Sequence, residues 1–384
     1  MSSINLAHTT YAIVGAGLLG RLLAVKLAQG GAKVDLFDQG GPAAEHSAAH
    51  VAASMLAPLA ESVITEANVV QMGLYSLRRW PSILAKLTKP VFFQQAGTLI
   101  LWHRQDTAEA NRFAAKLNHN CQHNAALSVP QKLALDDVLA LEPNLGNRFQ
   151  QGLFLPHEGQ LDNRQLLAAL AEELMRLKVV CHWHRSMEPH ELKQNHYAGI
   201  IDCRGLGAKA AWAKPLGVKP NPLRGVRGEV VRLYAPEVKI SRPIRLIHPR
   251  YPIYIAPKEN DIYVIGATEI ESEDLSPASL RSTMELLSAA YTVHSGFAEA
   301  RILETLTQCR PTLKNNLPAI RITEGGIIEI NGLYRHGFMI APAIVDCAHE
   351  LLESIANNSA DPAISPLSEQ LQLSVTQSGT LCAS

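Results

Sequence analysis

Residues Tyr11 to Asp38 read YAIVGAGLLGRLLAVKLAQGGAKVDLFD, and no other stretch restricts the fold of this chain so strongly. A short apolar run, Tyr11 to Val14, enters Gly15-Ala16-Gly17-Leu18-Leu19-Gly20. An apolar segment of helical length follows, and a second strand-like run, Val34 to Phe37, ends on Asp38. Together they spell a βαβ unit with its glycines and its acid where a dinucleotide needs them. Gly15 permits the tight turn out of the strand, Gly17 leaves the backbone open to a pyrophosphate, and Gly20 lets the helix pack close. The helix start offers free N–H groups and a positive dipole end to phosphate. Asp38 can accept hydrogen bonds from both ribose hydroxyls and would repel a 2′-phosphate, which disfavours NADP. The plainer alternative is a glycine-rich turn in an ordinary α/β domain.

With 384 residues, the chain is long enough for two domains or one large two-lobed unit. It is 47% hydrophobic and 18% charged, a globular balance. Lys plus Arg and Asp plus Glu are 35 each, so no global field favours nucleic acid or an anionic membrane. The N-terminal MSSINLAHTT lacks a basic start and a cleavage pattern, and glycines and charges break the apolar run after it. Neither a signal peptide nor a membrane span is expected. Six scattered cysteines (Cys121, Cys181, Cys203, Cys309, Cys347 and Cys382) form no CxxC, which reads as reduced cytoplasmic thiols without metal or disulfides. His182 and His184 would share one face of a strand, and without a third ligand a solvated face is preferred to a metal site.

Along the chain, a Gly/Pro/Ala-rich loop leads into Val51 to Pro58, small residues that suit a helix start close to a cofactor. Ala67 to Leu87 has helical spacing, with a break or fresh start expected at Pro81. Val91 to Phe93 and Gly97 to Leu101 read as a hairpin. Asp162 or Asn163 caps a helix running to about Leu177. Ile200 to Cys203 is a strand running into Gly205. Gly228 to Leu233, Pro252 to Ala256 and Ile262 to Ala267 alternate like antiparallel strands. Arg310 to Pro318 reads as a turn, and the tail after Pro362 as loosely held. The pattern implies a parallel α/β core assembled from separated pieces of chain, with antiparallel β segments inserted between them.

Several motifs now fall in one consistent order: GAGLLG; VAASMLAPLAE (Val51 to Glu61); EGQLDNRQLLAAL (Glu158 to Leu170); RGE (Arg227 to Glu229); IYIAPKENDIYVIGATE (Ile253 to Glu269); RPTLKNNLPAI; and GLYRHGFMIAPA. In that order the chain, from about Tyr11 to Leu352, resembles the D-amino-acid-oxidase-like group of FAD-dependent amine oxidoreductases. Within that group it most resembles the glycine oxidases of thiamine biosynthesis. The resemblance implies a Rossmann-like FAD-binding domain of discontinuous segments (1–85, 150–215 and 305–365). It also implies an antiparallel-β substrate domain (86–149 and 216–304), with 366–384 as a loose tail. FAD would be bound non-covalently by Gly15, Gly17, Leu18, Leu19, Gly20, Asp38 and Gln39, by Ala53, Ser54, Met55 and Gly205, and by Leu333, Tyr334, Arg335, His336, Gly337, Phe338 and Met339. Ser54 departs from the family's usual glycine, and Asn315 from a frequent Asp; a turn role is expected for Asn315.

The resemblance also assigns the substrate carboxylate to Arg310, with Tyr254 adding a hydrogen bond and Arg335 contacting the substrate through its carbonyl. Read singly, Arg310 could be a surface ion-pair member and Tyr254 a half-buried strand aromatic; Glu269 could sit at the pocket mouth or in solvent. The implied chemistry is hydride transfer to flavin N5, without an acid or base from the protein. Its products would be an imine, then glyoxylate and ammonia, and hydrogen peroxide from oxygen. A neutral amine is required, so activity should rise toward alkaline pH. Alternatives are a D-amino-acid dehydrogenase passing electrons to a quinone, a sarcosine-type oxidase, or a non-catalytic flavin-holding subunit. The surroundings of Cys309 do not match a covalent flavin site, no second GxGxxG is present, and a homo-oligomer is implied.

Overall fold

The computed structural model describes residues 9–214, 220–249, 252–357 and 365–377. Cys382 and residues 378–384 of the tail lie outside them. The strand Thr10–Val14, the helix Leu18–Gln29 and the strand Lys33–Phe37 form the βαβ unit, with Thr10 opposite Lys33 and Val14 opposite Phe37 in parallel register. Both faces of these strands are covered: Tyr11, Ile13, Val34 and Leu36 pack under the helices, while Ala12, Val14 and Phe37 pack against Met187, Leu192 and Tyr197 on the other side. The full sheet has seven strands, in the order 374–377, 319–322, 327–331, 199–202, 10–14, 33–37, 180–182. The pieces come from opposite ends of the chain, and the helices Asn163–Arg176 and Gly337–Ala356 pack against Leu18–Gln29.

A second sheet of eight strands has the order 301–313, 223–234, 262–266, 253–257, 244–247, 98–102, 151–155, 131–134. Three short strands, Met55–Leu56, Gly159–Leu161 and Phe93–Gln94, tie the two sheets together.

Several expectations need correction. Phe93–Gln94 and Thr98–Trp102 are not a hairpin: the first pairs with Gly159–Leu161, the second with Gln151–Leu155 and Ile244–Ile247. Arg310 is not in a turn but near the end of the long strand Arg301–Leu313; the turn begins only after Leu313. The run from Val51 does not start a helix: Ala48–Val51 ends one, and Met55–Leu56 is extended. Pro81 leaves Ala67–Leu84 unbroken: it forfeits its own bond to the Leu77 carbonyl, but the helix continues past it and closes with Ala85 N donating to Pro81 O at 3.0 Å.

His182 stacks on Phe37, with centroids 4.3 Å apart, while His184 lies past the strand at φ 56°, so they share no strand face. Residues 151–155 and 301–313 belong to the eight-stranded sheet. The tail is structured as far as Gln377: Pro366–Gln370 is helical and Ser374–Gln377 pairs in parallel with Ala319–Ile322, extending the cofactor sheet. Leu367, Leu371 and Leu373 are buried there, and that apolar burial holds the segment.

Candidate active site

A cavity of about 1480 Å³ runs between the two sheets, above the range usual for a single small ligand. Its narrow end is the glycine turn. Gly15 takes φ 101°, and a Cβ there would lie 2.6 Å from the Cys203 carbonyl, so only glycine fits. At Gly17 a Cβ would meet nothing nearer than Ser47 Cβ at 3.9 Å, leaving backbone open to the cavity. The helix that follows has no side-chain cap, so its first N–H groups remain available. Asp38 accepts from Ala16 N at 2.5 Å and from Gly40 N at 2.7 Å, which fixes its carboxylate beside the turn. Arg21, fully buried, donates to the carbonyls of Ala16, Pro42 and Leu167, stapling the turn to the loop after Asp38.

Farther along, Ala53, Ser54 and Met55 face Leu333 to Met339 across the cavity. Ser54 has φ 54°, left-handed geometry that costs a non-glycine residue roughly 1–2 kcal/mol. Its Oγ donates to Leu161 O at 2.5 Å, which offsets part of that cost. The departure from glycine noted in the sequence is therefore accommodated by a new hydrogen bond.

The wide end is built by strand register. Arg245 lies opposite Tyr254, Tyr254 opposite Gly266, Gly266 opposite Val230, and Val230 opposite Leu306. Directly opposed residues share a face, and so do residues two apart, which adds Gly228, Gln308 and Arg310 to the same surface. Two glycines in this row make room. A Cβ at Gly228 would come within 2.4 Å of the Arg310 guanidinium, and one at Gly266 within 2.6 Å of the Tyr254 hydroxyl. Arg310 donates to the carbonyls of Arg227 (3.2 Å) and Thr268 (3.1 Å). Gly228→Ala is thus expected to push the guanidinium aside and lower kcat/KM by about 10²-fold while FAD content stays unchanged; steady-state kinetics beside flavin absorbance would check this.

An ion cluster lies beside that row. Glu61 pairs with Arg245, with Arg335 (2.9 Å) and with the His336 ring (3.4 Å). Burial raises the Glu61 carboxyl, but Arg245, Arg335 and His336 outweigh it, so it is held far below the ordinary carboxylate range. Burial, against the pull of Glu61, pushes His336 down to about 4, so its imidazole is neutral near pH 7. Glu269 lines the cavity and accepts from Tyr334 Oη (2.6 Å) and Arg335 Nη1 (2.8 Å). The Arg335 side chain is therefore committed to two carboxylates. Asn315 accepts from Leu317 N at 3.1 Å, closing the turn after the long strand.

The structure brings every sequence-derived site residue to this cavity except Gly20, which packs under the turn: a Cβ there would lie 1.8 Å from Gly15 O. Sequence reasoning assigned no role to Glu61, Arg245, Gly228 or Gly266. Glu61 and the glycines stood inside quoted motifs, but their partners are set by sheet register, which no local pattern displays.

Fold and cavity define an α/β dinucleotide-binding protein whose groove is also lined by Arg245, Arg310 and Arg335 from outside the glycine turn. The sequence matches the family described as FAD dependent oxidoreductase over residues 10–351, and the chain belongs to that family. It is 38% identical over 344 residues to a putative thiamine biosynthesis oxidoreductase ThiO of Rhizobium etli, covering 88% of this chain and 95% of that one. It is 24% identical to a glycine oxidase of Pseudomonas aeruginosa, over 92% and 96% of the two chains. The fold matches the crystal structure of glycine oxidase from Bacillus cereus at a TM-score of 0.76 and 20% identity, over 92% and 96% of the two chains.

The cofactor is FAD, and the residues present fit it. The uncapped helix start and bare Gly17 suit a pyrophosphate, the immobilised Asp38 carboxylate suits ribose hydroxyls, and the cavity volume of about 1480 Å³ has room for a dinucleotide. No helix among the described residues is long and apolar enough to cross a membrane, and no cluster there could hold a metal ion.

Proposed function

We propose that this chain oxidatively deaminates glycine, and small amines or D-amino acids like it, to an imine that gives glyoxylate and ammonia, in the service of thiazole formation for thiamine. One observation carries the reading. Three arginines line the wide end of the cavity; Arg245 and Arg335 are ion-paired to Glu61, whereas Arg310 meets only backbone carbonyls among the described residues. Arg310 is the cation left for a substrate carboxylate, and its planar fork matches two carboxylate oxygens. Tyr254 stands on the same face to add a hydrogen bond, and burial raises its phenol, so it stays a donor. Within the cluster of Arg245, Arg310 and Arg335 with Glu61 and Glu269, and with His336 neutral, one positive charge is in excess. That balance suits one carboxylate and a neutral amine.

The glycine turn, Asp38 and Gln39, the Ala53–Met55 and Leu333–Met339 segments and Gly205 would hold the flavin, which when bound would supply the hydride acceptor and pass the electrons on to oxygen, giving hydrogen peroxide. The protein's part is to clamp the carboxylate so that the α-carbon faces the ring, with the Arg335 carbonyl as the amine's acceptor. No side chain is needed as a base; the His336 imidazole, in the same cavity, is occupied by Glu61. Balanced overall charge and five free cysteines among the described residues support a cytoplasmic enzyme without nucleic-acid partners, and the family resemblance supports a homo-oligomer.

Anaerobic mixing with glycine is expected to bleach the yellow flavin, and readmitted oxygen to restore it with release of peroxide. The bleaching rate at limiting glycine should rise about tenfold per pH unit while the substrate amine is mainly protonated. Bleaching by sarcosine or D-alanine but not glycine would reassign the substrate. Reoxidation by a quinone analogue but not by oxygen would make the protein a dehydrogenase.

A further inference from the structure

Lys258 follows the strand Ile253–Pro257 and continues the alternation that puts Tyr254 and Ala256 on the cavity side of the sheet. It is 7% exposed. Its ammonium donates to Leu161 O (2.7 Å), Ala53 O (2.9 Å) and Gln160 Oε1 (3.1 Å), so each of its three N–H donors has an acceptor. A buried lysine held by neutral oxygens is costly, and the activity derived above makes no use of it.

The contact with Ala53 is the informative one. A trans peptide is planar, with its C=O and N–H on opposite sides. Fixing the Ala53 carbonyl toward Lys258 turns the Ser54 N–H to the opposite side of the peptide, in a segment where Ala53 and Ser54 both line the cavity. Leu161 O takes both the Lys258 ammonium and the Ser54 hydroxyl, so the same lysine braces the left-handed residue from behind.

We propose that Lys258 is a positioning residue for the flavin: by clamping the Ala53 carbonyl it aims the Ser54 amide at the isoalloxazine and holds a positive charge one peptide group behind it. This rests on the reading that the ring lies against Ala53 to Met55.

The test uses the holoenzyme and sulfite, which adds to oxidised flavin at N5 and so reports donors and charge beside the ring. Sulfite binding would be titrated in the wild type, Lys258→Met, Lys258→Gln and Ala53→Val, with thermal melting as a check on folding and FAD affinity measured on the apoproteins. Lys258→Met is expected to weaken sulfite binding about tenfold or more, the loss of a charged hydrogen-bond donor. Lys258→Gln keeps two donors and loses the charge, and should weaken it about threefold.

If Lys258→Met does not fold, Lys258→Gln decides alone: no change beyond twofold overturns the proposal. A shift with Ala53→Val but none with either lysine variant also overturns it while leaving the ring's place intact. No shift in any variant removes the ring from this segment, and the proposal with it.

Discussion

Arg310→Ala is expected to keep its yellow FAD and to lose about 10²–10³-fold in kcat/KM for glycine, mostly through KM. Arg310 lies on the second sheet and its guanidinium meets only the Arg227 and Thr268 carbonyls among the described residues, so its truncation leaves the hydrogen bonds of the glycine turn and Asp38 in place. The loss follows from charge. Without it the pocket keeps Arg245 and Arg335 against Glu61 and Glu269, and the net attraction for a carboxylate is gone. Arg310→Lys is expected to recover only part of the activity, because a point charge does not reproduce two parallel bonds. Steady-state kinetics, with flavin absorbance as the loading control, measures both variants. Unchanged kcat/KM in Arg310→Ala would remove the carboxylate assignment.

Glu61→Ala should have the largest effect on stability, a loss of about 3 kcal/mol at neutral pH, because it leaves the half-buried Arg245 without its carboxylate and Arg335 with Glu269 alone. Glu61 is the common partner of Arg245 and Arg335, one from each side of the cavity, and it is almost fully buried. Glu61→Gln, which keeps an acceptor but loses the charge, should fall between. The sign with pH is defined. The folded-state pKa of Glu61 is depressed, so its stabilisation is complete above the unfolded carboxylate value and is lost as pH falls through the folded value. The gap between wild type and Glu61→Ala should therefore be widest at neutral pH and shrink in acid. Thermal melts across pH would reveal it; a gap that widened in acid would contradict the assignment.

Much of the cofactor half was legible because its determinants are local. The βαβ unit joins Tyr11 to Asp38 in a single run, and each glycine answers to a backbone constraint a few residues away. Arg310 and Tyr254 were legible only through the order of motifs, not through their own surroundings. The hairpin expected at Val91 to Leu101 failed because alternating apolar residues announce strands without naming their partners, and these partners lie more than fifty residues downstream. The tail failed for a related reason: Leu367, Leu371 and Leu373 are too few to declare a fold, and they matter only because the sheet edge at Ala319–Ile322 stands waiting for a strand.

From its amino acids alone, then, the chain determined a nucleotide groove opening on a glycine turn. Tertiary structure decided which arginine is free. Arg245, Arg310 and Arg335 are the same residue type, and only the fold brings Glu61 to two of them and backbone carbonyls to the third. The reason is physical: sequence periodicity sets which face a side chain occupies, but the charge it meets comes from chain folded back over scores to hundreds of residues.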